Sequence, residues 1–203
     1  METDDLAELI KEIERTTSAI RDYAQGNPKE IFVARYGHPF LLEKGLFVAK
    51  ELNPFSTIGG GVYYQEKTGE HPITDQKPVT DETEKVTIFR PPSFDQAIYP
   101  IARRPGGGNF FDFMVSAGRA PNNDIVILDS AVSALHFSFQ KETDTWYLVD
   151  RKSRNGTLLN GELLTPEQKY PIADEAIIHL KVSEKMFQFY QNATLWEHLK
   201  KTQ

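Results

Sequence analysis

The chain has 203 residues, with 29 acidic and 23 basic side chains and a formal net charge of −6. A mild acidic excess argues against a nucleic-acid binder, which carries a basic face. The absence of cysteine excludes disulfide scaffolds, thiolate metal sites and cysteine nucleophiles.

No apolar run approaches the roughly 20 residues of a membrane span. The acidic start lacks the order of a secretory signal, so a cytoplasmic protein without membrane association is expected. In chain order, residues 1–26 read as an amphipathic helix. Leu6, Ile10, Ile13, Thr17, Ile20 and Ala24 recur at helical spacing and form one apolar seam. Asp5 and Glu8 suit a capping box, and Gly26 with Asn27-Pro28 is a stop. The seam can pack on the rest of the chain, or it can bind a partner or a second copy, so dimerisation through this helix is an open alternative.

Residues 27–64 form a small apolar accessory region. EIFVARY reads as a strand; PFLLEKGLFVAKEL fits a hairpin at Gly45 or a broken helix, and periodicity does not choose between them. Gly59-Gly60-Gly61 lacks the Lys-Ser/Thr of a nucleotide-binding loop. Residues 65–92 read as a polar linker, too poor in large apolar side chains to offset ordering. Within it, VTIFR (86–90) is a candidate strand.

Residues 93–203 change texture to short strands between turn signals. Strands are expected in 97–104, 112–120, 124–128, 135–142, 145–151, 156–160, 176–182 and 186–191, with a short helix over 194–201. This spacing indicates a mainly β fold, a sandwich of about ten or eleven short strands with an N-terminal helix.

Three loop segments of the sandwich hold the chemistry. They are Gly118-Arg119-Ala120-Pro121-Asn122-Asn123-Asp124, Asp129 through His136, and Asp150 through Gly161. Arg119 offers a planar fork of donors suited to an oxyanion, Ser133 a neutral hydroxyl, and Arg154 a second cation. Asn155 carries both a donor and an acceptor, as backbone recognition needs. Gly156 permits a positive φ, and Asn160-Gly161 reads as a hairpin turn. Structural alternatives stand beside these: Arg119 pairing with Asp124 or Asp129, Ser133 capping a turn, and His136 as a satisfied loop histidine.

The order of these pieces (GR, SxxH, NG, NG, with strands between) resembles the signature of the forkhead-associated (FHA) domain over about residues 95–192. The resemblance implies an FHA-like β-sandwich that binds phosphothreonine on a partner protein, downstream of a Ser/Thr protein kinase. It implies phosphate contacts from Arg119, Ser133 and Arg154 and a peptide-backbone contact from Asn155. Gly118, His136, Gly156, Asn160 and Gly161 become loop supports. Ala134 stands where many members carry a polar residue, so one contact is missing.

Alternatives within the same resemblance are a phosphate-independent interaction scaffold, and self-binding of phosphorylated threonines such as Thr16 or Thr17. No HExxH, GxSxG, nucleotide loop or metal-ligand spacing is present, so no catalytic residue, metal or cofactor is expected.

Overall fold

The computed structural model describes residues 3–44, 54–58, 61–64, 97–104, 113–183 and 185–202. The linker over 65–92 and its candidate strand lie outside them. The chain forms two compact units, one from residues 1–47 and 93–203 and one from residues 48–92. In the smaller, β2 (Pro54–Ile58) and β3 (Gly61–Tyr64) pair antiparallel with an irregularity in register.

The larger unit begins with α1 (Thr3–Gly26) and α2 (Lys29–Arg35), followed by β1 (Phe40–Lys44). After the smaller unit come β4 (Ile98–Pro100), β5 (Val115–Gly118), β6 (Ile125–Val126), β7 (Phe137–Glu142) and β8 (Thr145–Asp150). Then follow β9 (Thr157–Leu159), β10 (Glu162–Leu163), β11 (Tyr170–Pro171), β12 (Ile177–Leu180), β13 (Met186–Tyr190) and α3 (Asn192–Lys201). One sheet has the order β10-β9-β12-β13-β1-β4 and the other β11-β8-β7-β5-β6. Phe137, Phe139, Leu148, Ile178, Phe187 and Phe189 fill the shared core, each fully buried. The fold is the mainly β sandwich that the turn spacing indicates.

The N-terminal third departs from expectation in three places. Helix α1 already begins at Thr3, so Asp5 lies inside its first turn rather than capping it, and Glu8 instead accepts from Arg15 at 2.7 Å. EIFVARY is not a strand but the helix α2. Its first turn closes where Phe32 N–H donates to Pro28 O at 3.1 Å, and Phe32 is buried against Tyr23, Tyr36 and Phe40 while Ile31 is 48% exposed. That docking overrides the β propensity of Ile31 and Val33.

PFLLEK, placed by sequence in the accessory region, supplies an inner strand of the larger sheet. β1 lies antiparallel between β13 and β4. Phe40, Leu41 and Leu42 are all buried, so both faces are covered and no alternation was there to read.

The α1 seam faces the protein's own core. Leu9 and Ile13 join the sandwich interior, while Ile20 and Ala24 join a second cluster with Phe32, Phe40, Leu195 and Leu199. Thr17 Oγ1 accepts the Ile98 N–H at 3.0 Å, which satisfies a backbone donor of β4 at the sheet edge. Under β1, Lys185 and Glu43 form a buried ion pair, and Tyr99 donates to the other Glu43 oxygen at 2.8 Å. Burial and the Glu43 charge hold the Tyr99 phenol well above its ordinary pKa.

Phe40 joins β1 to the helical layer with no exposed surface. Phe40→Ala should therefore cost about 3–5 kcal/mol, read as a lower urea midpoint with an unchanged slope.

Candidate functional site

β5 and β7 run antiparallel, as do β7 and β8. The end of β5, the start of β7 and the end of β8 therefore meet at one end of the sandwich. Hydrogen bonds tie the three loops there together. Arg119 N–H donates to Ser133 O at 2.9 Å, Ala120 N–H to Ala134 O at 3.0 Å and His136 N–H to Ala117 O at 2.9 Å. Arg154 N–H donates to Ser133 Oγ at 2.9 Å, and Asn155 Nδ2 to Ala131 O at 2.7 Å. Arg119, Ser133, Arg154 and Asn155 thus converge, as their positions in sequence suggest.

Arg119 is exposed. Its Nε donates to Val132 O at 3.2 Å, which aims the guanidinium along the Ser133 loop. Neither Arg119 nor Arg154 has a carboxylate partner among the described residues. The alternative pairing is closed because Asp124 and Asp129 are occupied elsewhere. Asp124 accepts from Ser116 N–H at 2.8 Å and from Arg104 N–H at 3.0 Å, and lies 3.4 Å from Arg103 Nε. Asp129 accepts from Ala131 N–H at 2.8 Å and from the Ser183 hydroxyl. Asn155 already spends one donor on Ala131, leaving its carbonyl oxygen and second N–H for a ligand. Lys152 is exposed on the same loop at φ +54°.

The supports are local. At Gly118 a Cβ would lie 2.4 Å from Ala134 O and 2.9 Å from His136 N, so any side chain pushes the first two loops apart. His136 is fully buried, and its Nδ1 accepts the Ser133 N–H at 3.1 Å. That bond fixes the neutral ring with its proton on Nε2. Nε2 itself makes no hydrogen bond of full geometry, although the Gly156 backbone is near enough to favour protonation. Gly156 takes φ +88°. Asn160 and Gly161 have φ +52° and +89°, the pattern of a type I′ turn, and Asn160 bonds both backbone groups of Ile177 at 2.8 Å. That turn pins β9–β10 to β12 and, among the described residues, has no bond to the three-loop cluster.

Sequence reasoning reads Asp150 as suited to a turn or cap and misses Asn123 and Arg104 among the side chains that hold the loops. Asp150, 1% exposed, accepts from Ser153 N–H at 3.0 Å, Ser153 Oγ at 2.6 Å and Thr157 Oγ1 at 2.7 Å. Its spacing to Ser153 is that of a local Asp-to-backbone turn, a signal that was available. Asn123 Nδ2 bridges Ala120 O and Ala134 O at 2.9 and 2.6 Å. Arg104 reaches Pro121 O at 3.3 Å while pairing with Glu12 of α1. Arg151 is engaged by Ser138, Glu167 and Met114. Thr16 and Thr17 lie within α1, with Thr17 bonded to Ile98. No cluster that could hold a metal and no helix long and apolar enough to cross a membrane occurs among the described residues.

Residues 115–181 match the family profile of the FHA domain. This part of the chain is an FHA domain. The profile spans the three loops, with Asn123, His136 and Asp150 among their supports. An FHA domain-containing protein of Arabidopsis thaliana is 36% identical over 85 residues, covering 39% of this chain and 22% of the relative. The glycogen accumulation regulator GarA of Mycobacterium tuberculosis is 38% identical over 69 residues, covering 32% of this chain and 43% of the relative. The chain spans less than half the length of these curated relatives. The solution structure of an Arabidopsis thaliana FHA domain is 28% identical with a TM-score of 0.36, covering 41% of this chain and 68% of that one.

The FHA loops generate two predictions. Burial lowers the His136 pKa below its ordinary 6.5, partly offset by the Gly156 backbone and the Asp150 and Asp129 carboxylates. His38 and His198 shift the same way, mainly by burial. Below about pH 6.5 the unfolded chain takes up protons that the folded chain refuses, so stability falls with pH until the folded values are passed. Urea midpoints should drop between about pH 7.5 and about pH 5.5, and the drop should shrink in H136Q. Gly118→Ala should cost about 1–3 kcal/mol through the forced contact with Ala134 O, measured by thermal unfolding, and should weaken ligand binding as well.

Proposed function

We propose that this protein is a non-enzymatic binding module that recognises phosphothreonine on a partner protein, within kinase-dependent regulation. The carrying observation is a pair of exposed arginines, Arg119 and Arg154, without carboxylate partners among the described residues, whose backbone N–H groups both donate to Ser133. A phosphate on a side chain brings about −1.5 to −2 charge and three acceptor oxygens. Arg119 supplies two terminal nitrogens to it, Ser133 its hydroxyl hydrogen and Arg154 a second cation. Ser133 Oγ already accepts from Arg154 N–H, so its own proton is left to donate outward. Asn155 reads the peptide backbone.

Ala134 is exposed and adds no polar side chain, while its carbonyl is spent on Asn123 and Ala120. The contacts from Arg119, Ser133 and Arg154 therefore carry the phosphate alone. The name of the GarA relative, a regulator, accords with a binding role rather than catalysis.

Titration of one peptide in threonine and phosphothreonine forms tests this reading. The phosphorylated form should bind far more tightly, and equal affinity overturns the proposal. Arg119→Ala should weaken phosphopeptide binding about ten- to a hundredfold, the scale of one lost charge-assisted contact, with only a small drop in the unfolding midpoint from the lost Nε bond to Val132 O.

A further inference from the structure

The connection between β12 and β13 belongs to the six-stranded sheet, yet it reaches two of the three loops of the candidate site. Lys181 N–H donates to Gly156 O at 3.1 Å, on the loop that follows β8. Ser183, 5% exposed, donates its hydroxyl proton to Asp129, 54 residues away in sequence, at the start of the Ser133 loop. The direction of that bond is fixed, because Ser183 Oγ accepts the Lys185 N–H at 3.0 Å and an ionised carboxylate only accepts. Lys185 is held in turn by its buried ammonium, paired with Glu43 of β1. From Asp129 the contacts run on to Asn155. The other Asp129 oxygen accepts the Ala131 N–H at 2.8 Å, and Ala131 O accepts from Asn155 Nδ2 at 2.7 Å. Ala131 has no polar side chain, so its backbone alone joins the carboxylate to the amide.

We propose that Ser183 is a positioning residue for ligand binding: through Asp129 and Ala131 it sets the direction of the Asn155 side-chain amide, and with it the contact to the peptide backbone. The inference rests on the phosphothreonine reading above and deepens it. Among the described residues Asp129 has two donors, one on each oxygen, and together they fix its rotamer. Without the Ser183 hydroxyl one oxygen turns to water, the side chain gains freedom, and Ala131 loses its fixed acceptor. The Asn155 amide is then ordered on binding instead of before it, which costs affinity. The phosphate contacts have anchors of their own. Ser133 Oγ keeps the Arg154 N–H, and Arg119 keeps its Nε bond to Val132 O and its N–H bond to Ser133 O. Ser183 therefore acts on the backbone contact and spares the preference for a phosphorylated ligand.

The full chain, as wild type, Ser183→Ala, Asn155→Ala and the double variant, is titrated with one peptide in its threonine and phosphothreonine forms. Ser183→Ala should weaken phosphopeptide binding about three- to tenfold, the scale of coupling within one hydrogen-bonded network, and should still prefer the phosphorylated form. The double variant should bind no more weakly than Asn155→Ala alone, because the effect of Ser183 passes through Asn155. Unchanged affinity in Ser183→Ala overturns the proposal, and so do losses that add in the double variant, since Ser183 then acts on the loops at large. A second measurement needs no ligand. The Asn155 side-chain amide signal in the NMR spectrum, identified by its loss in Asn155→Ala, should shift in Ser183→Ala, and a signal that stays in place overturns the positioning role. If wild type binds both peptide forms equally, the phosphothreonine reading fails, and the amide signal alone decides whether Ser183 positions Asn155.

Discussion

The close approach of two backbones at Gly118 sets the geometry on which the candidate site depends. A strand end can lie this near the Ala134 carbonyl only without a side chain. That approach lets Ala117, Arg119 and Ala120 bond consecutively to the segment from Ser133 to His136. Arg119 is therefore delivered beside Ser133 by main-chain hydrogen bonds, not by its own flexible stem. A cation on a long side chain is costly to immobilise, and anchoring both its backbone and its Nε reduces what remains to be ordered on binding.

Beneath the loops, carboxylates act as internal clamps instead of ligands. Asp150 satisfies a backbone amide and two hydroxyls and so shapes the turn that carries Arg154 and Asn155. Asp129 holds the start of the Ser133 loop, and its Ser183 partner also accepts the Lys185 N–H, beside the pair formed by Lys185 and Glu43. The exposed cations above are thereby separated from the nearest acids, each of which already has partners of its own. A site for a doubly charged anion needs that division, because a neutralised arginine has little left to offer.

The sandwich was legible because it alternates short apolar runs with turn residues, from Phe137 to Tyr190. The convergence of Arg119, Ser133, Arg154 and Asn155 was legible because their types and order match the FHA signature. What sequence hid has physical causes. β1 is covered on both faces, so its pattern is a plain apolar run. The α2 segment has strand-like composition, and only the docking of Phe32 into an aromatic cluster makes it helical. β10 and β11 are two residues each, too short for any periodicity. The bridging role of Asn123 depends on the Ala134 carbonyl, which reaches it only in three dimensions.

β1 and β4 are hydrogen-bonded neighbours, with Phe40 opposite Pro100 and Leu42 opposite Ile98, yet the whole smaller unit lies between them in the chain. In topological terms they form a hairpin with a domain-sized loop. The polypeptide departs after Lys44 and re-enters at Ala97 from adjacent strand ends, so the sheet constrains the span of that excursion and hardly its length. The edge of the sandwich thus works as an insertion port: cargo there can be lengthened, trimmed or exchanged while the three loops of the candidate site keep their place.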